Sequence, residues 1–165
     1  MFPALNSIII FVCLLLPITS NALPDDYHKK LNIVADQWHY NYRTGVTVYE
    51  GHVHALQGTT HVVADRLITK TNKQHVINEA TAYGETERAH YWTTPNLGEK
   101  EMHAFANIIK MYPIESNVVL EQEVTVKQGE NSFQGQLILY HMSDQTITVP
   151  ASKDGRAILV YDPDK

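Results

Sequence analysis

The sequence predicts an all-β protein, an antiparallel sandwich or open two-layer roll built from repeated hairpin units. Three observations carry this reading. Apolar residues recur with period two, as in Val46-Thr47-Val48-Tyr49, His52-Val53-His54-Ala55, Glu123-Val124-Thr125-Val126 and Thr146-Ile147-Thr148-Val149, the pattern of half-buried strands. Turn chemistry such as Asn41-Tyr42-Arg43-Thr44-Gly45, Gln57-Gly58-Thr59, Thr71-Asn72-Lys73 and Gly129-Glu130-Asn131 breaks the chain into short strands. A faint four-fold echo links Ala35-Asp36, Ala64-Asp65, Ala106-Asn107 and Gly135-Gln136, spaced by 29, 42 and 29 residues. Within it lies a period of 71, which lays Val48-Tyr49-Glu50 on Val119-Leu120-Glu121 and Gln57-Gly58 on Gln128-Gly129. Self-similarity at a fixed spacing implies stacked units that bury a face only against their neighbours.

The chain opens with an apolar run from Ile8 to Ile18, followed by Ser20-Asn21-Ala22. This run is shorter than the roughly 20 residues that span a bilayer and ends in a small-x-small cleavage pattern. Residues 1–22 are therefore expected to be a cleaved signal peptide and residues 23–165 a single domain. The alternative is an uncleaved N-terminal anchor, since no Lys or Arg precedes the apolar run. The only cysteine, Cys13, leaves with the leader, so stability must come from burial and backbone pairing in an oxidising compartment. Phe11-Val12 before it do not fit a lipoprotein signal. The formal net charge is −5, and no basic stripe of the kind that binds nucleic acid is present.

Along the domain, the first strand is expected over Lys30–Val34 and the last over Ala157–Tyr161. Gly84 to Lys100, centred on Pro95-Asn96-Leu97-Gly98, reads as a mobile loop. Alternation puts Val48, Val53, Val62 and Leu67 on one apolar face, and the 71-residue period maps them onto Val119, Val124, Phe133 and Ile138. Leu31, Ile33, Trp38, Tyr40, Met111, Tyr140 and Ile147 extend the same face. These side chains either fill a closed core or line a trough for an apolar ligand.

The stretches Ile33-Val34-Ala35-Asp36, Gly45 to Val53, Gln57-Gly58-Thr59, Ala64-Asp65-Arg66-Leu67, Leu120 to Gly129 and Phe133 to Tyr140 resemble the pattern of the OstA-like (LptA) family of lipopolysaccharide export proteins. The resemblance runs from about Leu31 to Tyr161. Asn107 and Gln136 depart from the acidic or similar polar residue usual there, and Met111 from an aromatic. The resemblance implies a periplasmic β-jellyroll that carries lipopolysaccharide from the inner to the outer membrane, with acyl chains in the apolar trough and sugars in water. At about 0.8 kcal/mol per buried methylene, partial burial keeps such binding reversible.

An open roll leaves unpaired edge strands, and an apolar, uncharged edge invites pairing with another chain. Ile158-Leu159-Val160 at one end and Leu31 and Ile33 at the other are expected to join copies of the chain head to tail. The same edges would meet inner-membrane and outer-membrane components of lipopolysaccharide transport with similar jellyroll domains. The alternative is that the C-terminal strand folds back into the interior. No Gly-Lys-Ser/Thr phosphate loop is present, so the chain is not the motor of such transport.

Enzymatic readings fare less well. His52-x-His54, with His61 nearby, suggests a cupin-type metal site, but Ala55-Leu56-Gln57-Gly58 follow where that site needs a carboxylate. The pair alternates out of phase with Val53 and Ala55, toward solvent. No Gly-x-Ser-x-Gly elbow occurs, and Asp36, Asp65, Glu50 and Glu121 recur with the repeat, as bend and rim residues do. Arg43, Arg66, Arg88 and Lys127 are scattered and form no phosphate clamp. The expectation is a non-enzymatic carrier without metal or cofactor. A membrane-tethered jellyroll of the same pathway and a cupin-like metal enzyme are the alternatives.

Overall fold

The computed structural model describes residues 26–96, 98–153 and 155–163, so the expected leader, Cys13 included, lies outside the described residues. After a short 3-10 turn over Asp26–His28 come twelve strands. They are β1 (Leu31–Val34), β2 (Gln37–Asn41), β3 (Val46–Gln57), β4 (Thr60–Thr71), β5 (Ile77–Tyr83) and β6 (Ala89–Thr93). β7 (Met102–Ala106), β8 (Ile108–Tyr112), β9 (Asn117–Gln128), β10 (Asn131–His141), β11 (Thr146–Thr148) and β12 (Ile158–Val160) complete the fold. Every pairing is antiparallel, as period-two strands with one wet face require.

The four long strands β3, β4, β9 and β10 each serve two layers. The first layer runs β1, the C-terminal half of β3, the N-terminal half of β4, β6, β7, the C-terminal half of β9, the N-terminal half of β10, and β12. The second runs β2, the other halves of β3 and β4, β5, β8, the other halves of β9 and β10, and β11.

The four-fold echo marks the line where one layer bends into the other. Ala35-Asp36 joins β1 to β2 and Ala106-Asn107 joins β7 to β8. Ala64-Asp65 and Gly135-Gln136 sit where the registers of β4 and β10 shift against their partners. Opposite them, Gly51 and His52 have φ of 77° and 46°, and Gln122 and Glu123 have 65° and 55°. Such left-handed pairs insert an extra residue and turn the strand sharply.

The 71-residue period is reproduced bond for bond. Asp36 N donates to Gly51 O at 2.9 Å and Asn107 N to Gln122 O at 3.0 Å. Thr71 N donates to Gly45 O at 3.0 Å and Met142 N to Ser116 O at 2.8 Å. Gln57 Nε2 reaches Lys29 O, and Gln128 Nε2 reaches Lys100 O, each at 3.1 Å.

One expectation needs correcting. Residues 84–100 are not a single mobile loop, because β6 lies at the centre of the first layer, paired with β4 and β7. Ala89, Tyr91 and Thr93 point inward and are buried, while His90 and Trp92 point outward. Large rings on the outward positions erase the hydropathy contrast by which period two is recognised.

Candidate functional site

The inward face of the first layer starts with Ile33 opposite Ala55 and passes through Val62, Tyr91 and Ala104. It ends with Phe133 opposite Leu159. Facing it, the second layer places Trp38 beside Tyr49 and Leu67, then Ile109, Leu120 and Ile138. A neighbouring line carries Tyr40, Met111, Tyr140 and Ile147. The structure thus brings together Leu31, Ile33, Val53, Val62, Leu67, Met111, Val124, Phe133, Ile138, Tyr140 and Ile147 around one core.

Val48 and Val119 are corrections: both lie on the outward face of the second layer, in line with Ile68, Thr81 and Lys110. Their neighbours Thr47, Val118 and Leu120 are the buried ones. The reason is the kink. β4 changes parity across it, passing from inward Ala64 to inward Leu67, whereas β3, with one residue more, keeps the parity that joins Val53 to Tyr49 and Thr47 and leaves Val48, five residues from Val53, on the other face.

The middle of the roll is packed. Val53, Leu67, Tyr91, Ile109, Leu120 and Ile138 are each at most 2% exposed. The void beside Tyr91, Val118 and Tyr140 is only about 10 Å³, room for no more than a water. The lining is uncovered at the ends. Trp38, on the inward line of β2, is 68% exposed, and Leu159, on that of β12, is 63% exposed. Among the described residues, β1 and β2 at one end pair only with β3, and β11 and β12 at the other pair only with β10. The C-terminal strand is therefore an edge and does not fold into the interior. Ile158, Leu159 and Val160 are all exposed, and so is Val34 on β1.

The bend-line carboxylates do structural work. Asp65 Oδ2 accepts from the amides of Glu85 and Thr86, both at 2.6 Å, so it ties its kink to the chain before β6. These amide bonds hold its carboxyl below the usual range. Glu50 accepts from Gln37 at 2.8 Å and lies 3.6 Å from Arg66, and Glu121 accepts from Lys110 at 2.7 Å.

His52 and His54 do not form a pair. His52 sits in the kink with its Nδ1 2.7 Å from Asp36, whereas His54 lies on the outward face of the first layer. There the structure assembles a plate that the sequence reading missed. His54, His61, Trp92, His90 and Phe105 stack in succession with centroids 4.2–5.4 Å apart, and His103 stacks on His90 at 5.3 Å. His54 Nε2 lies 3.1 Å from His61 Nδ1 and His90 Nε2 3.0 Å from His103 Nδ1. Burial, and then the charge of His103, push His90 down to about 4. The alternation of His90 with Trp92 and of His103 with Phe105 is the signal that could have revealed it.

Residues 32–146 match the family model described as LptA/(LptD N-terminal domain) LPS transport protein. Among characterised proteins, the lipopolysaccharide export system protein LptH of Pseudomonas aeruginosa is 29% identical over 126 residues, covering 76% of this chain and 71% of that protein. The crystal structure of LptH superposes with a TM-score of 0.78 at 24% identity, over 85% of this chain and all of that one. It is described as the LptA-homologous periplasmic component of the conserved lipopolysaccharide transport device of that organism. At that identity the superposition speaks for the fold, a β-jellyroll.

Proposed function

Since the chain belongs to the LptA/(LptD N-terminal domain) family of LPS transport proteins, we propose that it is a periplasmic bridge. In this reading it shelters the acyl chains of lipopolysaccharide and passes them between the inner-membrane and outer-membrane components of the transport device. Residues 1–22 are the cleaved leader of this proposal, and residues 23–165 the mature carrier.

The observation that carries the reading is the contrast between a packed middle and uncovered ends. Trp38 and Leu159 belong to the inward lines, yet among the described residues no strand covers them. Apolar surface left open at both ends of one core is where an acyl chain, or the matching end of another jellyroll, gains most by burial, at about 25 cal/mol per Å² removed from water. Free backbone edges flank both openings, β1 and β2 at one end and β11 and β12 at the other. Strand addition would join first layer to first layer and second to second, making the two apolar linings continuous. Inside a single copy, the layers must part for a chain to pass Tyr91 and Leu120, so lipid is held at the openings and shallowly elsewhere. Weak, equivalent sites suit a carrier driven by a motor outside this chain.

Photo-crosslinking tests this. A benzophenone side chain placed at Trp38 or Phe133 in living cells should capture lipopolysaccharide, whereas one at the outward Val119 should not. Capture at Val119 with none at Trp38 and Phe133 would overturn the reading.

A further inference from the structure

We propose that the outward plate of the first layer is a binding site for a first-row divalent transition ion such as Cu²⁺, Ni²⁺ or Zn²⁺, held by two cross-strand histidine pairs. The pairs are His90 with His103 and His54 with His61, and neither takes part in lipid carriage as argued above. Both are built the same way. Each joins diagonal neighbours on antiparallel strands, since Phe105 faces His90 and Leu56 faces His61 directly.

The facing nitrogens stand 3.0 and 3.1 Å apart. Two metal–nitrogen bonds of about 2.0–2.1 Å put their nitrogens about 2.9 Å apart at a right angle and about 3.3 Å apart at the tetrahedral angle. The observed gaps fall between these limits, so the spacing suits one ion, which takes the place of the bridging proton once the rings turn in plane to aim both lone pairs at it. In the neutral pair one ring donates to the other. On metal binding the donor ring moves that proton to its other nitrogen, so both facing nitrogens offer lone pairs and no net proton is released.

Backing groups favour the His90–His103 pair. His103 Nε2 lies 3.5 Å from Glu101 Oε2. A carboxylate there keeps the proton on Nε2, turns the Nδ1 lone pair toward His90 and raises the basicity of the ligand, the usual arrangement behind metal-bound imidazole. Stacking fixes the ring planes: Trp92 lies 4.4 Å from His61 and 4.5 Å from His90, and Phe105 lies 4.2 Å from His90. Among the described residues no three His, Cys, Asp or Glu side chains converge on one point. Each pair therefore gives two ligands and leaves the other positions to water. Imidazole nitrogen as the only protein donor selects ions late in the first transition series over Mg²⁺ or Ca²⁺. Bridging β3 to β4 and β6 to β7, the ions would stiffen the layer that ends in the edge strands.

Trp92 is a built-in reporter. With Trp38→Phe removing the only other tryptophan, titrating the untagged protein with Cu²⁺ should quench Trp92 saturably, reversibly with chelator, at two ions per chain by calorimetry. His103→Phe should remove one ion and His61→Phe the other, both keeping the stack, and far-UV circular dichroism reports that each variant folds. Glu101→Gln should weaken the first ion about tenfold or more. A single ion lost with His103→Phe alone sustains the Glu101-backed site and overturns the second. Quenching that does not saturate, or that persists unchanged in the double variant, overturns both.

Discussion

Asp36 Oδ2 lies 2.7 Å from Nδ1 of His52, across the bend that joins the two layers. The same Asp36 donates its backbone N–H to the carbonyl of Gly51 at 2.9 Å. The hydrogen bond and then the negative charge of Asp36 raise His52 above its ordinary 6.5. A raised histidine contributes stability that is complete below the unfolded value, near 6.5, and fades as pH climbs through the folded value. Both side chains are exposed, so the effect on stability is small but the titration is readable. By NMR, His52 should titrate above 6.5, and Asp36→Asn should bring it down; a His52 that titrates identically in both proteins refutes the pairing.

Gly51 has φ of 77°, and a Cβ there would run into the carboxyl group of Asp36. Gly51→Ala should therefore cost about 2 kcal/mol in chemical denaturation, through backbone strain and this collision. Adding Asp36→Ala should recover part of the loss by removing the obstacle. Full additivity of the two substitutions would show that the collision contributes nothing.

Asp65 holds the chain ahead of β6 through the Glu85 and Thr86 amides. Because its carboxyl is depressed by these bonds, the restraint is present above about 3.8 and is lost as pH falls through the lower folded value. Hydrogen exchange at residues 85 and 86 should accelerate in Asp65→Ala at neutral pH, with amides of β9 unaffected. Unchanged protection at 85 and 86 would show that other contacts hold the segment.

Tyr91 is 2% exposed, and its hydroxyl donates to Met142 Sδ at 3.7 Å across the two layers. Tyr91→Ala should lose about 3–5 kcal/mol, whereas Tyr91→Phe, which keeps the ring, should lose about 1 kcal/mol or less. A loss below about 1 kcal/mol for the alanine variant would mean that residues 89–93 are mobile after all.

Leu159 pairs with Phe133 in a strand of three residues at the sheet edge. If that edge accepts a second copy, Leu159→Pro should abolish concentration-dependent association in light scattering while circular dichroism stays that of the folded chain. Oligomers of unchanged size would exclude β12 as the joining strand.

Much was legible from the chain alone. Period-two alternation and turn residues specify antiparallel strands because side-chain direction along a strand is a local property. The echo of Ala35-Asp36 in three later places marked the bend line, since a kink needs the same local chemistry wherever it occurs. Val53, Val62, Leu67, Val124 and Ile138 were assigned inward, and they face the core. The family followed from the order and spacing of those same stretches.

The tertiary structure decided the rest. Val48 and Val119 stand five residues before Val53 and Val124 and face outward, because β3 and β9 keep their parity through the kink while β4 and β10 reverse theirs, which only the pairing partner reveals. Trp38 and Leu159 are open while Tyr91 is sealed, because exposure depends on whether another strand lies alongside. The histidine plate joins residues 54, 61, 90 and 103, which meet only where β4 pairs with β6. Local sequence sets which way a side chain points, and the neighbours it meets are set by strands far along the chain.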